Sequence, residues 1–390
     1  MDVLLCTHEP LLPLTGGCTI GNLRLAQSLA RRGHLRVLGP VNLPLEQVPA
    51  QAPGVEMRPF QPWRMGRSIS LRSLKYAAYA SLYGFALWSE CSRRRPDVLL
   101  VRNAVLAVPT AFVSKLWGIP ALLSYTDLLS ELLAGDPTLP RWFIRALRWY
   151  ETRVPRLFSG VTVISKPLAQ ALLDGGVHAK RLTVSLDGAD PVYFRPNAVT
   201  PAERRRRRAH LKLKAGQKLV LFHGTVEAHH GEALIPQLLR EAARLQPKLR
   251  FLLIVGGPGA EALKRAVAGL PHVTLLPFQP PEEVGRWAAC ADLGMVPYPP
   301  SAGLDLVFTL KLLEYFATGL PAVSFRLAAA QAEFGHFKGY RVATDEADFI
   351  AALGALAGTK PDPRLRAKVL KDFSWDAVCR RLDQQLRTLG

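Results

Sequence analysis

The chain lacks any stretch able to span a membrane as a helix. No run reaches the roughly 18 uncharged apolar residues that a bilayer requires. The nearest, residues 76–88, is short and is bounded by Lys75 and by Arg93, Arg94 and Arg95. A basic leader is missing too: Met1-Asp-Val-Leu-Leu reads as a strand rather than as a signal peptide. Cysteine is sparse, with five residues at Cys6, Cys18, Cys91, Cys290 and Cys379. They are odd in number and far apart, which excludes a disulfide framework and a zinc-ligand spacing, so reduced thiols in a cytoplasmic protein are expected. Acidic residues are short as well: 31 Asp and Glu stand against 50 Lys and Arg, a net charge of +19. Such an excess reflects either a polyanionic partner or a compositional bias toward arginine. The aromatic–basic interleaving of nucleic-acid modules is absent, which argues against nucleic acid and leaves an anionic membrane surface as the polyanion.

What is present is ample core. With 390 residues and an apolar fraction of 49%, the chain has material for two domains. Short apolar runs without polar alternation occur at residues 3–6, 35–38, 55–60, 98–102, 121–125, 161–164 and 182–185. A second series follows at 219–223, 251–255, 273–277, 293–297, 322–325 and 340–343. Helical stretches separate most of them. The pattern predicts an α/β fold of two Rossmann-like, doubly wound domains with parallel sheets, residues 1–190 and 218–373, facing a central cleft where the strands end. Residues 191–217, with two prolines near Arg195 and the run Arg204–Arg208, read as a linker entering a charged, solvated segment. From Phe373 onward the chain reads as an amphipathic helix capped by Ser374, with Val378, Leu382 and Leu386 on one face.

The richest segment is Thr309-Leu-Lys-Leu-Leu-Glu-Tyr-Phe-Ala-Thr-Gly-Leu-Pro-Ala-Val323. It reads as a helix start, a helix, a glycine stop at Gly319 and a buried strand opened by Pro321. Lys311 and Glu314, three apart, share one face of the first turn. The free N–H groups of that first turn favour an anion, and Lys311 adds to that pull. A carboxylate there repels phosphate but accepts sugar hydroxyls. A phosphate site beside a ribose site describes a nucleotide.

Other loops after strands carry weaker signals. Gly16 and Gly17 precede a helix at about 19–32, as a phosphate-binding loop or a plain turn does. His223-Gly-Thr-Val-Glu-Ala-His-His-Gly231 precedes a helix near residue 232. His230 there faces either phosphate or solvent, because adjacent imidazoles diverge and no further metal ligand accompanies them. Asp187 and Asp190 suit a turn. Asp127, at the end of 121–125, is either a cleft-facing acid or an N-cap. Residues 71–91 combine Tyr76, Tyr79, Tyr83, Phe85 and Trp88 with Lys75, and Trp63, Arg64 and Arg67 lie just upstream. This is either a buried helix or one lying in a lipid interface.

In order and spacing, the Gly16-Gly17 loop with LAQSLARRGH, VTVIS with SLDGADPVYFRP, HGTVEAHHG, ADLGMVPY and KLLEYFATGLPAV resemble the retaining glycosyltransferases of family 4, of GT-B fold. The resemblance covers nearly the whole chain. It implies transfer of a sugar from a nucleotide diphosphate sugar to an acceptor hydroxyl with retained configuration, no cofactor, no metal, and a last helix (374–390) crossing back to the N-terminal domain. It places Glu314 on the ribose hydroxyls, and Thr309, Leu310, Lys311, Gly16, Gly17 and Gly224 on the diphosphate. Some members dock on anionic membranes to reach lipid-linked acceptors, so a lipid-linked or cell-envelope glycan and peripheral attachment to the cytoplasmic leaflet are expected.

The sequence also departs from the family pattern. Thr225 and His230 stand where many relatives carry arginine and lysine, and Leu306 stands where many carry a second glutamate. Asp305 is then the acid nearest the donor sugar. Asp127 stands near a frequent histidine and is the residue expected on sugar or acceptor. Thr225 and Leu306 also suit an inactive relative serving as a scaffold or regulatory subunit.

Overall fold

Runs such as Val98-Leu-Leu-Val-Arg102 bury every residue, and strands of that kind need helices on both sides. The computed structural model describes residues 1–14, 17–62, 69–135, 139–185, 187–226 and 233–389, and the side chains of 17, 18 and 69–77 lie outside the description. The chain divides into two units. The first holds Met1–Leu14, Cys18–Leu186 and Val378–Gly390, and the second is built on Asp187–Ala377.

The first unit contains β1 (Asp2–Cys6), β2 (His34–Gly39), β3 (Val55–Pro59), β4 (Val98–Arg102), β5 (Ala121–Tyr125), β6 (Gly160–Val163) and β7 (Leu182–Val184). Its sheet order is β3-β2-β1-β4-β5-β6-β7, and every pairing is parallel. The second unit contains β8 (Lys218–Thr225), β9 (Leu249–Gly256), β10 (Val273–Pro277), β11 (Leu293–Val296), β12 (Ala322–Phe325) and β13 (Tyr340–Ala343). Its order is β10-β9-β8-β11-β12-β13, again parallel throughout. Each strand expected from the sequence is therefore found, with ends shifted by a residue or two. The order reverses between β1 and β4 in one sheet and between β8 and β11 in the other. At such switch points the helices leave on opposite faces, and ligands bind beyond the strand ends.

Strand β2 carries a fully buried charge. Arg36 donates to Glu90 at 2.9 Å, reaches Asp2 at 3.3 Å and donates to the carbonyl of Arg94 at 2.9 Å. The final helix, Trp375–Leu389, starts with the Ala377 N–H donating to Ser374 Oγ at 3.3 Å, and its Val378, Leu382 and Leu386 are buried.

The arginine run matches the solvated segment read from the sequence only in part: Arg204, Arg205 and Arg206 are exposed, whereas Arg207 and Arg208 are half-buried. Residues 191–217 belong to the second unit, and the run lies in a helix, Pro201–His210. Arg207 pairs with Glu203 at 3.0 Å and Glu283 at 2.5 Å and lies 4.8 Å from the Trp287 ring. Arg208 donates to Asp292 at 2.8 Å and to the carbonyl of Cys290 at 2.9 Å. Glu203 is a local partner one turn away, but only the fold brings Glu283, Asp292 and the Cys290 carbonyl within reach of Arg207 and Arg208.

Because crossovers from β3 through β6 all advance in one direction, right-handedness sets the helices Ile69–Arg93, Ala107–Trp117 and Arg141–Arg153 on one face of the first sheet. Tyr79 and Tyr83 point into the core, while Leu82, Phe85 and Trp88 are exposed, so the two readings of residues 71–91 describe opposite sides of one helix. Val108, Phe112, Leu116, Trp142 and Trp149 are exposed as well. The acids of these helices, Glu90 and Glu151, are both buried. Trp63, Arg64 and Arg67 lie outside the described residues. Among the described residues, no helix is long and apolar enough to cross a membrane.

Candidate functional site

In the second unit the polar groups gather at the β8–β11 switch point. The helix Leu310–Thr318 starts at Thr309, which has the extended backbone of an N-cap but makes no side-chain capping hydrogen bond. It ends at Gly319, whose φ of 85° is the left-handed value that favours glycine. The opening N–H groups of this helix therefore remain available to an anion. Lys311 leans from that first turn across the end of β8. Its Nζ donates to Tyr298 Oη at 2.5 Å and lies 5.8 Å from the Phe222 ring centroid. Gly224 has φ 114°, and a Cβ there would stand 2.7 Å from Lys311 Nζ. The positive φ at 224, near the end of β8, favours glycine, and a larger residue there would push aside the end of Lys311. Thr225 follows, half-buried, its Cβ packed 3.3 Å from where a Cβ on Gly257 would stand.

One turn further along, Glu314 is buried with Oε2 at 3.4 Å from His223 Nε2. The imidazole stacks at 22° on Phe194 and meets Tyr315 edge-on, with ring centroids 5.2 Å apart. Tyr315 Oη donates to the Leu221 carbonyl at 3.0 Å. Burial raises the Glu314 carboxyl to about 8, a rise that Lys311 opposes and Asp190 reinforces. Burial, with the charge of Lys311, lowers His223 to about 3. The spacing is that of an ion pair, but desolvation decides the protonation: at neutral pH the two are a carboxylic acid and a neutral imidazole.

Asp305 is otherwise engaged. On the short helix Ala302–Leu306, capped by Ser301, its carboxylate pairs with Arg326 and accepts from the Ala328 N–H at 3.1 Å, where the next helix starts. Both oxygens thus have structural partners. Gly17 is the first residue of the helix Gly17–Ala30. Gly16 and His230 lie outside the described residues.

The first unit gathers a second polar cluster at its own switch point. Arg102, buried at the end of β4, donates through Nε to Asn22 Oδ1 at 2.9 Å and through a terminal nitrogen to Ser124 Oγ at 2.8 Å. Asn22 in turn donates to Glu9 Oε2 at 3.1 Å. Asn103, with φ 61°, accepts from the Thr126 N–H at 3.1 Å and the Thr126 hydroxyl at 2.8 Å. Burial, then Glu9, then Glu151 raise Asp127 to about 6. Asp127 is not the cap of the following helix. The buried Glu151 accepts from the Leu129 and Ser130 N–H groups at 2.8 and 3.0 Å and does that work from the helix Arg141–Arg153.

Sequence reading passed over His223, Tyr298, Glu9, Asn22 and Arg102. Two left a usable trace: a charge closing the apolar run VLLVR, and a histidine closing VLFH immediately before a glycine. Among the described residues, no group of three or more His, Cys, Asp and Glu side chains is placed to hold a metal ion.

The family model described as "Glycosyl transferases group 1" matches residues 217–358, and that of the "Glycosyl transferase 4-like domain" matches residues 16–186. A D-inositol 3-phosphate glycosyltransferase of Nocardia farcinica is 32% identical over 51% of this chain and 46% of its own length. Another, of an Arthrobacter species, is 28% identical over 72% of this chain and 68% of its own. The chain thus spans about half the length of the first of these relatives. Among solved structures, sucrose-phosphate synthase of Thermosynechococcus elongatus superposes with a TM-score of 0.78 at 18% identity, covering 100% of this chain and 98% of that one. HepE of Anabaena, in complex with UDP and glucose, superposes with a TM-score of 0.73 at 16% identity over 100% of both chains. Likeness at such identities speaks for the fold, and the two family models cover every strand of the second sheet and all but β1 of the first. The chain belongs to the group 1, family 4-type glycosyltransferases, and its fold is GT-B.

Proposed function

We propose that this chain transfers a sugar from a nucleotide diphosphate sugar to an acceptor hydroxyl, with retention of anomeric configuration. The observation that carries the reading is Lys311 lying across Gly224 beside an uncapped helix start, with Glu314 one turn on. The N–H groups at Leu310 and Lys311, and the ammonium of Lys311, stabilise the charge that grows on the departing diphosphate, without a metal. Glu314 accepts the ribose hydroxyls. Thr225, with Gly224, lines the diphosphate, as do Gly16, Gly17 and His230 in the family pattern. Asp127 binds the acceptor hydroxyl, with Arg102 and Asn22 holding Glu9 beside it. The acceptor attacks from the side of the leaving group, whose phosphate oxygen takes the proton.

The acceptor in this reading is a lipid-linked or cell-envelope glycan, reached from the cytoplasmic leaflet. Support comes from the helical face of the first unit, where Phe85, Phe112, Trp142 and Trp149 are exposed among Lys115, Arg141, Arg145 and Arg153. Aromatic and basic side chains together, with no exposed acid on those helices, suit an anionic lipid surface.

The test is a panel of UDP-, GDP- and ADP-sugars, followed by calorimetry and by release of nucleotide diphosphate. Binding of at least one donor with turnover, both lost in Glu314→Ala, supports the reading. Binding without turnover in the presence of glycan acceptors makes the chain a scaffold, and absence of any nucleotide binding refutes the proposal.

A further inference from the structure

His223 has no place in the donor scheme above, yet the fold spends a buried strand position on it. It lies in β8 directly before Gly224 and is 6% exposed. Phe194 on one side and Tyr315 at the edge fix the ring plane. Among the described residues its buried Nε2 has no hydrogen-bond partner, with Glu314 Oε2 3.4 Å away. A buried polar atom left so is costly unless it serves a second state of the site. The charged groups facing the pair among the described residues are Lys311, on the same helix as Glu314, and Asp190, in the loop after β7.

We propose that His223 is a positioning residue that accepts the carboxyl proton of Glu314 when Glu314 engages the nucleotide's ribose. The inference rests on Glu314 being the ribose-binding acid. In the empty site the proton stays on Glu314, because burial disfavours both charges. Ribose hydroxyls donate to Glu314 and stabilise its carboxylate. Once Glu314 is held as a carboxylate 3.4 Å from Nε2, its charge lifts the imidazole well above the low value it has beside the neutral acid; the proton then passes from Oε2 to Nε2, and the imidazolium so formed faces the carboxylate. No proton enters or leaves the protein in this step. Without an acceptor at 223, the same binding event must expel a proton to solvent, and affinity then falls about tenfold for each pH unit below the Glu314 value.

The experiment measures UDP binding, with GDP and ADP in parallel, by calorimetry from pH 6 to pH 9 in buffers of different ionisation enthalpy. The proteins are wild type, His223→Phe, His223→Gln and Glu314→Gln. The same ligand titrates identically in all of them, so ratios of Kd report the protein alone. Expected for either His223 variant is a Kd about tenfold above wild type at pH 7, about a hundredfold above it at pH 6 and equal to it at pH 9, with close to one extra proton released at pH 7. A Kd ratio constant across pH, with no extra proton, means His223 only packs and overturns the inference. His223→Gln keeps a polar ring-sized group and serves if the phenylalanine variant does not fold. Glu314→Gln separates the two failures: unchanged UDP affinity there removes Glu314 from the ribose site, whereas weakened affinity with pH-independent His223 variants refutes the proton transfer alone.

Discussion

Lys311 Nζ occupies the space that a side chain at position 224 would need: a Cβ on Gly224 would stand 2.7 Å from it. Gly224→Ala therefore does two things. The φ of 114° becomes strained for an L residue, at a cost of about 1–3 kcal/mol, and the flexible end of Lys311 is driven away from Tyr298. The expected outcome is a lower urea midpoint together with weaker nucleotide diphosphate binding. A variant with weakened stability but wild-type affinity would place the diphosphate elsewhere.

Glu314 makes folding stability depend on pH in a defined direction. Its folded value, about 8, lies above the ordinary 4.5. The folded state therefore holds a proton that the unfolded state releases, and stability declines as pH rises from about 4.5 to about 8, by up to about 1.4 kcal/mol per unit. Glu314→Gln removes that dependence. The variant should exceed wild type in stability at pH 8, with the gap closing by pH 4.5, read from urea midpoints across pH.

Asp127 should act on the acceptor and not on the donor. A hydrogen bond to a charged group contributes about 1.5–3 kcal/mol, so Asp127→Asn should raise the acceptor KM at least about tenfold and leave the donor Kd unchanged. With Asp127 raised to about 6, the acceptor KM of wild type should also worsen below that pH, and the variant should lose this limb. Steady-state kinetics from pH 5 to pH 8 decides both points.

Arg36 and Glu90 form a buried pair whose disruption should be felt throughout the first unit. Glu90→Ala leaves the fully buried guanidinium, among the described residues, with only the partly exposed Asp2 and the carbonyl of Arg94. A loss of about 3 kcal/mol is expected in chemical denaturation, because an uncompensated buried charge remains.

The aromatic and basic helical face offers a separable test. Trp142→Ser with Trp149→Ser should reduce binding to vesicles containing anionic lipid while leaving turnover of a soluble acceptor intact. High salt should weaken wild-type binding in the same assay, because surface charge is screened beyond about 10 Å at 0.1 M. Equal vesicle binding by wild type and the double variant would exclude those tryptophans from the contact.

Much of this was legible in sequence because it is local. Apolar runs in an alternating α/β pattern name parallel strands wherever they fall, and all thirteen strands follow from that pattern. The span from Thr309 to Val323 carries its own start, its glycine stop and its three-residue spacing of Lys311 and Glu314. The tertiary structure decided whatever depends on strand order. Arg102 meets Asn22 because β4 lies beside β1, although 80 residues separate them. Glu151 displaces Asp127 as a cap from 22 positions away, and Arg207 and Arg208 find Glu283 and Asp292 only once the second unit has folded. Periodicity encodes which side of an element is buried, but the identity of a neighbour is set by the reversal of strand order. Desolvation then acts on the groups so enclosed, which is why the protonation of Glu314 and the burial of the His223 imidazole beside it exist only in the folded chain.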